Sequence, residues 1–409
     1  MSLTKKRWLI LAACCFINLC IGSLYAWSVL AGPMAAYLGE LNGVTLTARD
    51  LSIVFVIANS VGPITMITGG KINDTLGPKM VVLIGGMMFG GGMFLSGFAT
   101  SISFLIVTYS LLLGLGLGMV YGATISTCIK FFPDKRGLIG GLTTSTFGIS
   151  SVIIPPIAGA IITMTGPTTA FKVIGAAFIV IIAVSSLFIE KCPDGFVPEG
   201  WTPPAATGKK AGGESKNWLG MLKSPIFYVM IVMLTCGAFA ALMFIPMISP
   251  IAQNMIGMST AAATTAVSTL ALFNVFGRVL AGSLSDKFGR INVLGAACVL
   301  SVIGLGLLYI ADMGDTLPFF AGISIVGACF GSFMGVFPGF TADQFGPKYN
   351  SVNFGIMFIG FSIAGYVGPS ILNNIYGAQG SYNMAFVTAM GFSVAGLVLT
   401  FAYRVLNRK

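Results

Sequence analysis

The segment Gly70-Lys-Ile-Asn-Asp74-Thr-Leu-Gly77 returns far along the chain as Gly282-Ser-Leu-Ser-Asp286-Lys-Phe-Gly289. Around these two segments the correspondence continues at one nearly constant offset. Gly114, Gly118 and Gly122 are echoed by Gly327, Gly331 and Gly335, Pro33 by Pro246, Pro156 by Pro369, and Phe132-Pro-Asp-Lys135 by Phe345-Gly-Pro-Lys348. Matches that stay in register through four separate helices and loops indicate that the chain is built from two copies of one unit.

Each copy is a series of apolar segments. The 409 residues are 56% hydrophobic and only 8% charged, with 54 glycines, whereas soluble domains carry about a quarter charged residues. Stretches long enough for the roughly 20 residues a bilayer core requires lie near 8–32, 50–70, 79–98, 102–128, 137–163, 169–189, 226–249, 260–282, 291–311, 316–341, 350–374 and 384–405. The expectation is an all-α membrane protein with twelve transmembrane helices in two six-helix pseudo-symmetric bundles. Residues 1–189 form the first bundle, 190–223 a cytoplasmic linker and 224–409 the second bundle. The linker is marked by Pro193, Gly195, Pro198, Gly200, Pro203, Pro204 and a basic Gly/Lys stretch, with a short interfacial helix near Trp218 to Lys223.

The formal net charge of +10 would suggest a nucleic-acid partner in a soluble domain. Here the cations fall in alternate connections: Lys5, Lys6 and Arg7; Lys71 and Lys79; Lys130, Lys135 and Arg136; Lys191, Lys209, Lys210, Lys216 and Lys223; Lys287 and Arg290; Lys348; Arg404, Arg408 and Lys409. That alternation is the positive-inside pattern. It places both termini and the linker in the cytoplasm of a multi-pass inner-membrane protein, with lipid as its surroundings and no nucleic acid. The first apolar segment is too long for a signal-peptide core and reads as a permanent span.

There is no His, and the eight Cys include no CxxC pair. Metal centres and Ser/His/Asp catalysis therefore lack candidate residues, and neither an enzyme nor a cofactor is expected.

One cation breaks the pattern. Arg278 stands inside the span 260–282, with Asn274 one helical turn earlier on the same face. An Arg within a membrane helix costs on the order of 2.5–3.5 kcal/mol on insertion scales, so such residues usually face a polar pathway and bind something. Two readings fit: Arg278 and Asn274 meet an anionic substrate, or Arg278 snorkels to the interface near Asp286, Lys287 and Arg290.

Parallel six-span repeats, joined to the motif Gly-x-x-x-Asp-x-x-Gly after spans two and eight, resemble the major facilitator superfamily, whose substrate site lies near midplane between the halves. By that resemblance Asp74 and Asp286 are gating residues that stabilise an outward-open state, with Arg136 or Lys135 as partners. Ordinary turn chemistry, an Asp accepting backbone N–H bonds before a helix, explains the same residues. The segment FFPDKRGLIGGL at 131–142, GMVYGA around Tyr121, LFN before Arg278 and Tyr25-Ala-Trp27 are similar to the oxalate/formate antiporters and, more distantly, the monocarboxylate transporters. This resemblance implies a carboxylate substrate with Arg278 as its counter-ion. Asn274, Tyr121 and Tyr25 are then hydrogen-bond donors to it, although each Tyr could instead be a packing residue, a reading that fits Tyr25 better than Tyr121.

Two departures narrow the expectation. The antiporters carry a second cation, a Lys, in span eleven. Here Phe361 stands at that position and Phe358 where the family has Trp. A single cation leaves a dianion half-compensated in a low-dielectric site, which favours a small monocarboxylate such as lactate or pyruvate, with Phe330, Phe358 and Phe361 as an apolar wall or as plain helix packing. The monocarboxylate/proton symporters have Asp where this chain has Asn274, so a co-transported proton must travel with the substrate or on a carboxylate at the membrane rim. The expected function is alternating-access transport of small monocarboxylates by a monomer, by proton symport or, alternatively, by carboxylate exchange.

Overall fold

The computed structural model describes residues 2–202 and 215–408. Pro203, Pro204, Lys209 and Lys210 of the linker lie outside the described residues, as does Lys409. Among the described residues, twelve helices are long and apolar enough to cross a membrane: α1 (Leu3–Asn42), α2 (Ser52–Leu76), α3 (Pro78–Ser96), α4 (Ile102–Phe131), α5 (Arg136–Thr165), α6 (Pro167–Ser186), α7 (Pro225–Phe244), α8 (Ala262–Phe288), α9 (Arg290–Ile310), α10 (Thr316–Phe345), α11 (Asn350–Gln379) and α12 (Asn383–Asn407). No strand occurs among the described residues. Helices satisfy every backbone N–H and C=O within one segment, the condition a hydrocarbon solvent imposes. The linker contributes the expected short helix, Trp218–Leu222, with Asn217 accepting the Gly220 N–H at its start.

Three spans are irregular. A 3-10 turn over Gly22–Ala26 interrupts α1, a π-helical stretch over Ile106–Leu113 follows the first turn of α4, and α11 is broken at Phe358. The duplicated motif ends identically in both copies. Gly77 and Gly289 have φ of 101° and 86°, a conformation that costs glycine little and other residues much, so the chain reverses there directly into α3 and α9.

Two compact units emerge. One comprises 1–134, 146–215 and 346–356; the other comprises 135–145, 216–345 and 357–409. Each unit therefore contains a short segment from the opposite half of the sequence, the first turns of α11 in one and of α5 in the other. Within the first unit α4 packs on α2 and α3, and α6 on α3 and α1. Within the second, α10 packs on α8 and α9, and α12 on α9 and α7. The second list is the first advanced by six helices, the packing counterpart of the sequence repeat.

The glycine rows make this packing possible. A Cβ at Gly118 of α4 would collide with the Gly62 carbonyl of α2, and at the matching Gly331 of α10 with the Asn274 carbonyl of α8. Gly335 faces the backbone of Arg278 in the same way, and so does Gly141 of α5. Small residues at four-residue spacing let helix backbones touch. Here they fix the backbone from which Arg278 extends.

Candidate functional site

Arg278 lies about ten residues before the end of α8, about 15 Å along a helix that rises 1.5 Å per residue, a distance comparable with half the roughly 30 Å hydrocarbon thickness. Its side chain does not snorkel: the residue is 4% exposed. Nε donates to Asn274 Oδ1 at 3.0 Å and Nη1 to the backbone carbonyl oxygen of Thr144 at 2.7 Å. Arg has only donors, so the Asn274 amide must turn its oxygen toward it and keep its nitrogen as a further donor. No described carboxylate forms an ion pair with Arg278, and neither hydrogen bond uses Nη2. The pair thus retains donor capacity with no acid group to neutralise it, an arrangement suited to accepting an anion.

In the same unit Phe330 of α10 stacks on Phe361 of α11 at 6.3 Å between ring centroids, and Phe361 on Phe358 at 4.5 Å. Phe358 occupies the break in α11, which brings its ring parallel to one a single turn away. Phe330 adjoins Gly331, the residue seated against the Asn274 carbonyl. One helix, α10, therefore carries the first aromatic ring and positions the α8 backbone.

The first unit holds the tyrosines. Tyr121 of α4 and Tyr25 of α1 both pack on Phe147 of α5, at 5.0 Å and 5.7 Å between centroids. Tyr121 is buried and Tyr25 half-buried. Phe147 and Thr144 were missed by sequence reasoning. Thr144 contributes its backbone oxygen, which any residue would supply, and Phe147 is one apolar residue among many.

The motif carboxylates take partners other than those expected. Asp74 pairs with Lys130 at 2.7 Å and accepts the Val352 N–H at 3.3 Å. Asp286 pairs with Arg290 at 2.7 Å and accepts the N–H groups of Gly137 and Leu138 at 2.9 Å and 2.8 Å. Arg136, expected beside one of these, pairs instead with Asp343 at 2.6 Å, and Asp343 also takes Arg290 Nε at 2.9 Å. The correction has a simple cause. Each Asp already lies against the opening turn of a helix, α5 for Asp286 and α11 for Asp74, where free N–H groups and the positive dipole end favour a carboxylate. The turn-chemistry reading thus describes both carboxylates. Each repeat's motif Asp caps the fifth helix of the other repeat.

Against known proteins, the model of the Major Facilitator Superfamily matches residues 11–369 and 236–409. The chain belongs to that superfamily. The transporter is 27% identical over 418 residues to the oxalate:formate antiporter of Oxalobacter formigenes, covering 100% of this chain and 94% of that one. It is 24% identical over 428 residues to human monocarboxylate transporter 12, covering 98% and 81%. Its fold is similar to the crystal structure of the Escherichia coli fucose:proton symporter FucP, with a TM-score of 0.71 at 13% identity, covering 98% and 99% of the two chains. The transporter is an integral, multi-pass membrane protein of a family whose members carry small molecules and are generally not enzymes.

Proposed function

We propose that the transporter moves small monocarboxylates of the lactate or pyruvate kind by alternating access, with Arg278 as the carboxylate's counter-ion. The observation that carries this reading is a buried guanidinium with no described acid partner and an uncommitted Nη2. A carboxylate would receive parallel N–H bonds from it, the geometry in which guanidinium excels. Asn274 adds an amide donor, Tyr25 and Tyr121 are assigned as phenolic donors, and the stacked Phe330, Phe361 and Phe358 are assigned as the wall against the methyl end. A single cation selects a monoanion over a dianion. The similarity to an oxalate:formate antiporter and to a monocarboxylate transporter supports the carboxylate class.

The proposal includes proton symport, the proton entering with the substrate as its acid or on a rim carboxylate, since Asn274 holds none. Exchange is the second reading. It is favoured by the same unpaired Arg278, because an empty carrier would have to carry a buried, uncompensated cation through its cycle. The transporter is placed in the inner membrane with both termini cytoplasmic, on the distribution of Lys and Arg, and is read as a monomer.

Labelled lactate uptake into proteoliposomes tests the site. Arg278→Ala is expected to abolish it while the protein stays monodisperse, and normal uptake by that variant would refute the assignment. An imposed pH gradient on vesicles without internal carboxylate separates the two modes: symport accumulates lactate, obligate exchange does not.

A further inference from the structure

Helices α8, α9 and α10 border an apolar cavity of about 420 Å³ that contains none of the site residues above. Its α8 wall is the stripe Phe276, Leu280, Leu284 and Phe288, spaced by four so that they share one face, and 58%, 44%, 36% and 63% exposed. From Phe273 to Phe288 the groove follows α8 for about 22 Å at 1.5 Å per residue, enough to cross one leaflet of hydrocarbon, about 15 Å. Its floor is cut low by the small residues Gly277, Ala281, Ala296 and Ala328. Charge enters at the Phe288 end. Asn292 lines the groove there and its Oδ1 accepts Arg404 Nη2 at 2.8 Å, while Lys287, next to Phe288, is exposed.

A trough one leaflet long, predominantly apolar along its length and cationic at one mouth, is complementary to a single amphiphile. We propose that it binds an anionic phospholipid, one acyl chain lying in the groove and the phosphate held by Lys287 and Arg404. Surface cations next to a membrane attract anionic lipid, and the hydrocarbon fills space that would otherwise lack contacts. The occupant would also brace the substrate helix. Gly277 is seated so tightly on α10 that a Cβ would collide with the Ala328 carbonyl, and both residues line the groove. This inference rests on the membrane fold and not on the identity of the cargo.

Native mass spectrometry of the full-length transporter released from mixed phosphatidylcholine and phosphatidylglycerol vesicles tests it. The expected result is retention of phosphatidylglycerol in preference to phosphatidylcholine. Retention should fall several-fold in Ala296→Trp, which fills the groove, and in the double variant Lys287→Gln with Arg404→Gln, which leaves the groove intact. Ile303→Trp, on the exposed face of α9 outside the groove, should retain as much as the parent. Retention without headgroup preference, or an equal loss in Ile303→Trp, would overturn the proposal. So would a dimer that Ala296→Trp dissociates, because a second copy would then be the occupant.

Discussion

Arg278 Nη1 donates to the carbonyl oxygen of Thr144 at 2.7 Å, a bond between a cation and a backbone group that a side-chain change at position 144 does not remove. Thr144→Ala should therefore leave the guanidinium in place and lactate affinity within about threefold of the parent, since the bond that matters is made by the peptide. Arg278→Lys keeps the charge and loses the fork. Hydrogen bonds to charged groups are worth about 1.5–3 kcal/mol, so affinity is expected to drop by roughly 10- to 150-fold, read from the concentration dependence of initial uptake.

Asn274→Asp should change the pH dependence of transport in a defined direction. A carboxylate one turn from Arg278 is held in its ionised form by the guanidinium and competes with the substrate for it. Uptake at neutral pH is expected to fall, and to recover as pH is lowered and the new carboxyl takes a proton. A pH profile parallel to that of the parent would contradict the proposed role of Asn274 and Arg278 in substrate binding.

Gly331→Val tests whether the glycine row of α10 is a packing device. The added Cβ meets the Asn274 carbonyl, and overpacking costs typically about 1–3 kcal/mol. Thermal stability in detergent should fall and uptake with it. Gly306→Ala, at a glycine with open space around it, should change neither.

Asp286→Ala removes the acceptor of two N–H groups at the start of α5 and the partner of Arg290. Loss of a helix cap costs about 0.5–2 kcal/mol, and Asp286→Asn, with one acceptor oxygen, should recover part of it. The midpoint of thermal unfolding is the readout.

Cys192, beyond the end of α6, is buried, and burial pushes its thiol up to about 12 despite the opposing pull of the Lys130 ammonium. On the order of 10⁻⁵ of it is ionised at pH 7, and the thiolate is the nucleophile. N-ethylmaleimide should label it slowly at neutral pH and faster as pH rises toward that value. Fast labelling at pH 7 would show that the loop around it opens.

The architecture was legible because lipid imposes a coarse rule. Twelve apolar stretches, a duplicated Asp motif and two glycine rows could hardly encode anything but paired helical bundles, and the rows fall where helix backbones meet. Arg278 and Asn274 were legible for the opposite reason, as the polar pair that an apolar span should not contain. What stayed hidden was whatever acts without a distinctive side chain. Thr144 works through its peptide oxygen, Phe147 is one Phe among 32, and the pairing of Arg136 with Asp343 spans 207 positions. Analogy sent Arg136 to the motif carboxylates, but those were already engaged by backbone N–H groups, an interaction that no residue type announces.

Because Asp74 serves α11 and Asp286 serves α5, the two gene copies have ceased to be independent modules. Cut at the linker and produced separately, each half would expose the naked opening turn of one long helix, so activity should return only when both fragments are made together. An ancestral duplication has in this way become an obligate partnership, in which a lesion in either motif is inherited by the opposite half.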